Sequence, residues 1–411
     1  NYYKNQIVDN YKIRFYNFKM YQPRTINKIL SQALAGFPAI LLTGPRQSGK
    51  TTLLRHEAGT DVAYVTFDDP LERNFATTDP QGFLRRFINQ PVILDEIQYV
   101  PGLLSHIKMH IDREPHQSGR WLLTGSQQFG LMRDVSESLA GRVAILELPP
   151  FNQVEYARDD LAQTIWNGSY PIAALFPDRR DLWITSYIST YIERDVRQIR
   201  NIPDLRVFNQ FLNLVAARHS QIFNQAEISR EIGVSVPTVK SWAGVLEASY
   251  VAYMLAPWFQ NYGKRITKTP KCYLYDSALA SALTRQPDAQ SAVAGSMGGP
   301  LLEGWVVTEA VKVFMALGKK PEIYFWRSHD GLEVDLLIVI KGKLHPVEIK
   351  LTGTPTRGHI KPLTRFIEIA GDDAAEHGTL VCQTDTQKVL PGGHTAIPWH
   401  AFTGWLFEQL R

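Results

Sequence analysis

Short apolar runs alternate with amphipathic stretches in the first third of the chain. The apolar runs lie within 39–43, 62–69, 91–101, 120–126 and 143–148. Strands buried on both faces of a parallel sheet form nearly continuous apolar runs of this kind. Between them, 24–36 and 103–110 space their apolar residues at helical intervals. The pattern predicts an α/β domain whose parallel sheet carries helices on its faces.

Helical spacing dominates the middle of the chain. Apolar residues over 183–200 predict one long helix. Asn224 precedes a short helix that Gly233 ends, and Ser235 precedes a second helix, which together predict a helix-turn-helix. Two strands follow on either side of the basic stretch 261–268, an order that is typical of a winged helix.

The hydrophobic and polar pattern changes again in the last third of the chain. Small and polar residues fill 286–300, which predicts a loop or linker. A helix, three strands, a second helix and a further strand follow in that order, which predicts a second α/β domain. The predicted units are therefore 1–20, 21–150, 151–204, 205–285, 286–300 and 301–411.

Composition and charge exclude few classes of protein or partner. The 411 residues are 44% hydrophobic and 20% charged, and a net charge of +4 does not by itself indicate a nucleic-acid partner. The two cysteines, Cys272 and Cys382, form no disulfide framework, which favours a reducing cytoplasm. No apolar run is long enough to span a membrane, so no membrane partner is expected. The Tyr-, Asn- and Lys-rich residues 1–20 predict no function.

The sequence GPRQSGKTT follows the first apolar run and opens a helix. It has the spacing of a Walker A phosphate loop, in which backbone N–H groups and a helix N-terminus surround a phosphate. Lys50 is expected to reach the β- and γ-phosphates of ATP, and the Thr51 hydroxyl to bind Mg²⁺. The predicted nucleotide-binding residues are Gly44, Pro45, Arg46, Gln47, Ser48, Gly49, Lys50, Thr51 and Thr52.

A second acidic motif follows a buried strand. The sequence PVILDE ends its apolar run in Asp95 and Glu96, the Walker B pattern. Asp95 is expected to bind the Mg²⁺ shell, and Glu96 to polarise the water that attacks the γ-phosphate. The pair therefore predicts ATP hydrolysis.

Two further positions are candidates for catalysis. Ser126 or Gln127 follows the fourth strand at the edge that faces the ligand, so either could sense the γ-phosphate or simply cap a helix. Arg142 stands before the fifth strand, where it could act on a neighbouring subunit's nucleotide in a homo-oligomer or be an ordinary surface arginine.

The motifs GPRQSGKTTLL, VILDEIQYVPGLL, LLTGSQQ and SLAGRV occur in this order. With GSYP, YISTYIERDVR and LLEGWVVTEAV further on, the chain resembles a prokaryotic family of AAA-type P-loop ATPases with a largely uncharacterised C-terminal region. The resemblance covers the chain from Met20 onward. It implies an additional-strand parallel sheet and ATP hydrolysis. The ERD element of this family contains Arg194, which could sense nucleotide or pair with neighbouring carboxylates.

The predicted winged helix is a candidate for DNA binding. Non-specific contact with DNA phosphates would use basic side chains of the second helix and the wing, whereas such folds also act as spacers or bind protein. The candidate DNA contacts are Lys240, Lys264, Arg265, Lys268 and Lys271.

The C-terminal unit carries a set of charges on predicted strands and a helix. Asp335, Glu348 and Lys350 project to one side by the period-two alternation of strands, and Glu303 lies on the preceding helix. We call these four residues the carboxylate–lysine site. Their order resembles the PD-(D/E)xK nuclease fold, which implies a second metal site that cleaves DNA. A paired charge cluster without catalysis explains the same residues.

Two functions follow from these observations. In the first, an ATPase couples its nucleotide state to DNA binding or processing. In the second, a nucleotide-dependent signalling or scaffold ATPase binds protein through C-terminal domains whose nuclease-like fold is inactive.

Overall fold

A computed structural model describes residues 21–59, 61–125, 129–190, 204–260 and 268–411. Its first unit is a five-stranded, wholly parallel sheet with the order β2-β3-β4-β1-β5. The strands are β1 (Ala39–Thr43), β2 (Ala63–Thr66), β3 (Val92–Asp95), β4 (Trp121–Thr124) and β5 (Val143–Glu147). β4 lies between β1 and β3. The predicted α/β class with a parallel sheet is confirmed.

Helices cover both faces of this sheet. They are α1 (Asn27–Gly36), α2 (Lys50–Glu57), α3 (Pro70–Thr78), α4 (Pro80–Arg85), α5 (Leu103–Arg113) and α6 (Phe129–Leu139). Leu30 of α1 and Leu53 of α2 pack on the face that presents Leu42, whereas Phe83 and Ile107 pack on the opposite face. Successive strand residues point to opposite faces, so the central strands β1, β3 and β4 are buried on both faces.

The middle of the chain is mostly helical, with a small antiparallel sheet of order β6-β8-β7. The elements are α7 (Leu161–Asn167), α8 (Pro171–Leu175), α9 (Arg180–Tyr187), α10 (Leu205–Ala217), β6 (Gln221–Ile222), α11 (Gln225–Ile232), α12 (Val236–Ala248), β7 (Ala252–Leu255), β8 (Lys271–Leu274) and α13 (Ser277–Leu283). Asn224 and Ser235 accept hydrogen bonds from the first turns of α11 and α12, and Gly233 ends α11 with a left-handed φ of 72°. Both predicted helices of the helix-turn-helix are therefore present.

The predicted helix over 183–200 is described only in part. Its first residues belong to α9, which begins earlier, at Arg180, and gives way to a π-helical turn at 188–190. Residues 191–200, among them Arg194, lie outside the described part of the chain, as do residues 1–20.

A six-stranded mixed sheet of order β13-β14-β12-β11-β10-β9 forms the last third. The elements are α14 (Ala289–Ala294), α15 (Gly298–Ala316), β9 (Ile323–Arg327), β10 (Glu333–Ile340), β11 (Lys343–Ile349), α16 (Arg357–Ala370), β12 (Thr379–Cys382), β13 (Lys388–Val389), β14 (Thr395–Pro398) and α17 (Phe402–Leu410). β9, β10 and β11 are antiparallel neighbours, and β12 joins β11 in parallel. The edge at β9 pairs with residues just after β7, where the Trp258 N–H donates to the Phe325 carbonyl over 2.6 Å.

The prediction of a linker over 286–300 is wrong. Asp288 caps α14, whose Ala289 and Ala292 are buried, and α15 begins at Gly298. The small side chains of 286–300 allow helices to approach closely. Composition alone does not distinguish small residues that pack between helices from small residues that make a flexible linker. One hydrophobic core runs from Leu161 to Phe407 and joins the middle of the chain to the last third.

A buried ion pair fixes α15 to the segment that follows β5. Lys312 Nζ lies 2.8 Å from Glu309 Oε1 and donates to the Phe151 carbonyl over 3.0 Å. Glu309 Oε2 accepts from the Gln153 N–H over 2.8 Å and from the Thr403 hydroxyl over 2.7 Å. Both charges are almost fully buried, and each finds several partners, as buried charges require.

None of the helices in the described ranges is long and apolar enough to cross a membrane. Both cysteines, Cys272 and Cys382, are buried thiols without a disulfide.

Candidate functional site

The predicted phosphate loop connects β1 to α2 and depends on unusual backbone angles. The φ angles of Gly44, Gln47 and Gly49 are 136°, 62° and 96°, all positive. A Cβ on Gly44 would collide with the Leu148 carbonyl oxygen, so only glycine fits beside β5. Gly49 lies directly before α2, and the loop therefore delivers its N–H groups to the N-terminus of that helix.

Lys50 is buried at the start of α2, and its ammonium bonds to uncharged acceptors. Its Nζ donates to the carbonyl oxygens of Gly44 over 3.0 Å and of Pro45 over 2.8 Å. Burial lowers the Lys50 pKa to about 8, although the more distant carboxylates of Glu96 and Asp95 partly oppose the shift. Among the residues that the structure describes, the direct partners of this ammonium are therefore neutral carbonyl groups.

Asp95 ends β3 beside the loop and accepts three side-chain hydrogen bonds. Thr51 Oγ1 donates to Asp95 Oδ2 over 3.0 Å, which brings the two predicted metal ligands together. The Tyr64 hydroxyl donates to the same oxygen over 2.8 Å, and the Thr124 hydroxyl donates to Oδ1. Sequence analysis did not identify Tyr64 or Thr124, although Thr124 ends the strand next to β3.

Glu96 follows Asp95 in a left-handed backbone conformation, with φ 58° and ψ 45°. This is a costly conformation for a residue with a side chain, and such strain is often concentrated at functional sites. The Gln98 amide donates to its carboxylate. Burial raises the Glu96 pKa, which makes the carboxylate a stronger proton acceptor.

Arg24 ties the loop to the segment after β5, and the sequence analysis missed it. Its guanidinium donates to the Ser48 carbonyl over 2.9 Å, to the Pro149 carbonyl over 2.6 Å and to Glu155 over 3.0 Å. Arg24 lies 125 residues from Pro149 in the chain, so no local pattern reveals the contact.

Arg142 and the pair Ser126 or Gln127 are the other predicted catalytic positions. Arg142 lies just before β5, at the amino-terminal edge of the sheet and opposite the phosphate loop. It forms an ion pair with Asp112, with 2.5 Å between Nε and Oδ1. It therefore does not reach the loop of its own chain. Ser126 and Gln127 lie outside the described residues, so their proposed sensing role stays a prediction.

The four residues of the carboxylate–lysine site lie together. Lys350 Nζ lies 3.1 Å from Asp335 Oδ2 and 2.7 Å from Glu348 Oε1, which joins β10 to β11. Asp335 Oδ2 also accepts from the Ile349 N–H over 2.9 Å. Glu303 of α15 accepts from the Tyr273 hydroxyl over 2.7 Å. Burial and then Asp335 raise the pKa values of both Glu303 and Glu348.

The expected DNA contact at Lys271 is wrong. Lys271 is only 4% exposed, and its Nζ lies 2.9 Å from Glu303 Oε1 and also contacts Glu333. Burial alone lowers the Lys271 pKa, but Glu303, Asp335 and Glu333 together outweigh it and hold the pKa above its ordinary value. A basic residue near a predicted wing can therefore face inward. Lys240 and Lys268 are exposed, while Lys264 and Arg265 lie outside the described residues.

The carboxylates do not converge on a shared point. Within the described ranges, no group of three or more His, Cys, Asp or Glu side chains is arranged to hold a metal ion. Each ammonium instead bridges a pair of acids: Lys350 bridges Asp335 and Glu348, and Lys271 bridges Glu303 and Glu333. The arrangement is that of a paired charge cluster.

The strand order and the contact of the Walker A threonine with the Walker B aspartate define the N-terminal unit as an AAA-type, P-loop ATPase-like domain. Residues 36–157 match a family model described as AAA domain. Residues 158–290 and 298–402 match models described as Domain of unknown function (DUF8612) and Domain of unknown function (DUF4143).

Two mycobacterial proteins extend the match along most of the chain. They are the Uncharacterized protein Mb2031c of Mycobacterium bovis and the Uncharacterized protein Rv2008c of Mycobacterium tuberculosis. Each is 32% identical over 332 residues, which cover 80% of this chain and 73% of the relative. The chain belongs to the family of these proteins.

Solved structures resemble the chain less closely. The Walker-type ATPase paby2304 of Pyrococcus abyssi has a TM-score of 0.42 and 16% identity, and the match covers 63% of this chain and 94% of that one. A RuvB variant of Thermotoga maritima has a TM-score of 0.31 and 17% identity, with coverages of 56% and 88%.

Proposed function

We propose that this chain hydrolyses ATP at the phosphate loop. The observation that carries the proposal is the contact between Thr51 and Asp95, with Glu96 immediately after it and Lys50 beside it. A kinase must exclude water, whereas an acidic residue after the Walker B aspartate can orient and deprotonate water. The tandem acids therefore favour hydrolysis over transfer to a second substrate.

The residues present fit a bound Mg²⁺, because the Thr51 hydroxyl and the Asp95 carboxylate are hard oxygen donors 3.0 Å apart. When bound with ATP, Mg²⁺ would neutralise negative charge on the phosphate oxygens. Tyr64 and Thr124 hold the Asp95 carboxylate in one orientation. The backbone N–H groups of the loop and the Lys50 ammonium bind the phosphates.

The reaction is an in-line displacement. Water attacks the γ-phosphorus while the bond from that phosphorus to the bridging oxygen breaks, and ADP leaves with the electron pair. Glu96 orients the water and accepts its proton. The raised Glu96 pKa assists this step, because it strengthens the base.

Substitution of the proposed base tests the mechanism. We expect Glu96→Gln to retain ATP binding and to lose about 10²-fold or more in phosphate release, so that ATP stays bound. Asp68→Asn is the matched control, since Asp68 lies exposed just after the neighbouring strand β2 and should be dispensable. Normal turnover in Glu96→Gln would remove Glu96 from the mechanism, whereas loss of ATP binding would indicate a structural role.

We further propose that nucleotide state is coupled to DNA through the C-terminal part of the chain. The proposal is supported by the turn-linked helices α11 and α12, by the exposed Lys240 and Lys268, and by the gathering of Asp335, Glu348 and Lys350. In this interpretation the first part is a winged helix and the last part a PD-(D/E)xK nuclease-like domain. The buried Lys271 favours the alternative, in which the nuclease-like fold is inactive and the C-terminal domains bind protein.

The ATPase rate with and without DNA separates these functions. Coupling to DNA predicts a rate that changes with added DNA and returns to its basal value as salt rises. No change at low salt, with any DNA form, would favour the signalling or scaffold ATPase. If Mg²⁺-dependent nicking occurs, it should vanish in Asp335→Ala while the basal ATPase rate persists.

A further inference from the structure

Lys271 enters the carboxylate–lysine site from a different sheet. It belongs to β8 of the three-stranded sheet, whereas Glu333 belongs to β10 of the six-stranded sheet and Glu303 to α15. The side chain of Lys271 is 5% exposed, and its ammonium contacts both acids. The site is thus completed by a charge that the strands and helix of the last third do not supply.

The backbone of Lys271 is held on both sides. In the register of the sheet, Lys271 lies opposite Ile222 of β6 and opposite Leu255 of β7. Two residues further on, Tyr273 points the same way and donates its hydroxyl to the Glu303 oxygen that Lys271 contacts. The central strand therefore presents two donors to Glu303 at a fixed position.

One oxygen in the site has no such partner. The Glu348 side chain is 3% exposed, and its Oε1 lies 2.7 Å from Lys350 Nζ. Its Oε2 is buried without a hydrogen-bond partner among the described residues. An unpaired buried carboxylate oxygen is costly, so the site has an acceptor ready for a further cation or donor.

We propose that Lys271 is a built-in counter-ion that closes the carboxylate–lysine site to divalent cations. Its ammonium contacts both Glu303 and Glu333 and neutralises them. Removal of that ammonium frees an oxygen of Glu303, and Glu348 already has an unpaired buried oxygen. The freed oxygens are hard donors, which suit Mg²⁺ or Mn²⁺.

This inference rests on the alternative function proposed above, in which the nuclease-like fold is inactive, and it is independent of ATP hydrolysis. Its test is Mn²⁺ binding to the full chain without nucleotide or DNA, measured by titration calorimetry and by the electron paramagnetic resonance signal of free Mn²⁺. The contribution of the phosphate loop is the same in every variant and cancels in the comparison. The Mn²⁺ measurement can be interpreted even if the chain does not cleave DNA or if Glu96 is not the base.

Lys271→Met is the direct variant. We expect it to gain one Mn²⁺ site, at least about tenfold tighter than any such site in the unsubstituted chain, because a competing charge is removed. Adding Asp335→Asn to Lys271→Met should abolish the gain. Lys268→Met, which removes an exposed lysine three residues earlier, should gain nothing.

Lys271→Met leaves the partly buried Glu303 without its counter-ion and leaves Glu333 with only Arg327, 4.0 Å away, and it could unfold the protein. Lys271→Met combined with Glu333→Gln removes one charge of each sign and keeps the local balance. Either folded variant should gain the Asp335-dependent site. The proposal is overturned if the unsubstituted chain already binds Mn²⁺ equally well in an Asp335-dependent manner, or if the folded double variant gains no site.

Discussion

Lys50 and Lys271 are both buried lysines, but they are held by different acceptors. Lys50 donates to two neutral carbonyl groups of the phosphate loop, and burial lowers its pKa to about 8. Lys271 contacts the acids Glu303 and Glu333, which hold its pKa above the ordinary value despite burial. One ammonium is therefore available to an incoming anion, whereas the other is already neutralised.

The difference shows how a lysine's immediate partners decide its function. An ammonium bound to carbonyl dipoles gains much from an added phosphate, because no full charge competes with it. An ammonium bound to carboxylates stabilises the folded chain and gains little from a further anion. Sequence motifs identify lysines of both kinds, but only the three-dimensional contacts distinguish them.

Removal of the Lys50 ammonium should have the largest effect on activity. We expect Lys50→Ala to reduce ATP hydrolysis by about 10²–10³-fold and to weaken ATP binding, because a charge that stabilises the transition state is lost. Steady-state phosphate release and binding of a fluorescent ATP analogue measure the two effects. Lys28→Ala, which alters an exposed lysine of α1, is the control. Near-normal hydrolysis by Lys50→Ala would contradict the proposed role.

Lys350 should matter for stability rather than for ATP hydrolysis. Lys350→Met leaves Asp335 and Glu348 unpaired, which should cost about 1–3 kcal/mol of unfolding free energy, since 37% of the Lys350 side chain is exposed and solvent screens part of the loss. Urea denaturation measures the change. Lys343→Met on the same strand β11, at an exposed position, should change little. A stabilised Lys350→Met protein would show that the pair is not favourable.

Lys50→Met should instead stabilise the nucleotide-free protein, by about 1–2 kcal/mol at pH 7, because it removes a buried charge and loses only two neutral hydrogen bonds. The folded-state pKa of about 8 lies below the ordinary value of 10.5. The unfolded state therefore binds more protons between these values, and the stability of the unsubstituted chain rises there with pH. The advantage of Lys50→Met should shrink as pH increases above 8. Urea titrations at pH 7 and pH 9 test this, and an advantage that grows with pH would refute it.

The smallest effect is expected at Tyr64. Tyr64→Phe removes one of three donors to Asp95 and should lower the rate of ATP hydrolysis about threefold to tenfold, with a higher Mg²⁺ requirement. The rate as a function of Mg²⁺ concentration measures both. Tyr99→Phe, at a more exposed tyrosine four residues after Asp95, is the control. An unchanged Mg²⁺ requirement would mean that Tyr64 does not position Asp95.

The sequence predicts features that depend on neighbours along the chain. β1, β3 and β4 can be predicted because a strand buried on both faces must be apolar throughout. The caps of α11 and α12 can be predicted because Asn224 and Ser235 accept hydrogen bonds from residues close to them in the chain. Contacts between segments that are distant in the chain cannot be predicted from these local patterns. Arg24 reaches Pro149, and Tyr64 and Thr124 reach Asp95, only after the sheet has formed.

Lys271 shows a different reason for error. Nearby Lys and Arg residues suggest a basic surface, but alternation along β8 places Lys271 with Tyr273 on the side that faces Glu303. A count of charges contains no information about which face each charge occupies. The strand period was available in the sequence, but the position of α15 relative to β8 was not.

The single core that joins the middle of the chain to its last third has a consequence for biosynthesis. α15 packs against α7, α13 and β8 of the middle segment, and residues of all four elements belong to one core. The apolar surface that those three elements present to α15 is therefore covered only when α15 is present. During translation the ATPase-like sheet can close first, while the helices after it expose apolar surface until the last third has left the ribosome. The C-terminal region thus serves as an intramolecular folding partner. Premature termination of translation within it would leave a chain with exposed apolar surface, which chaperones would bind.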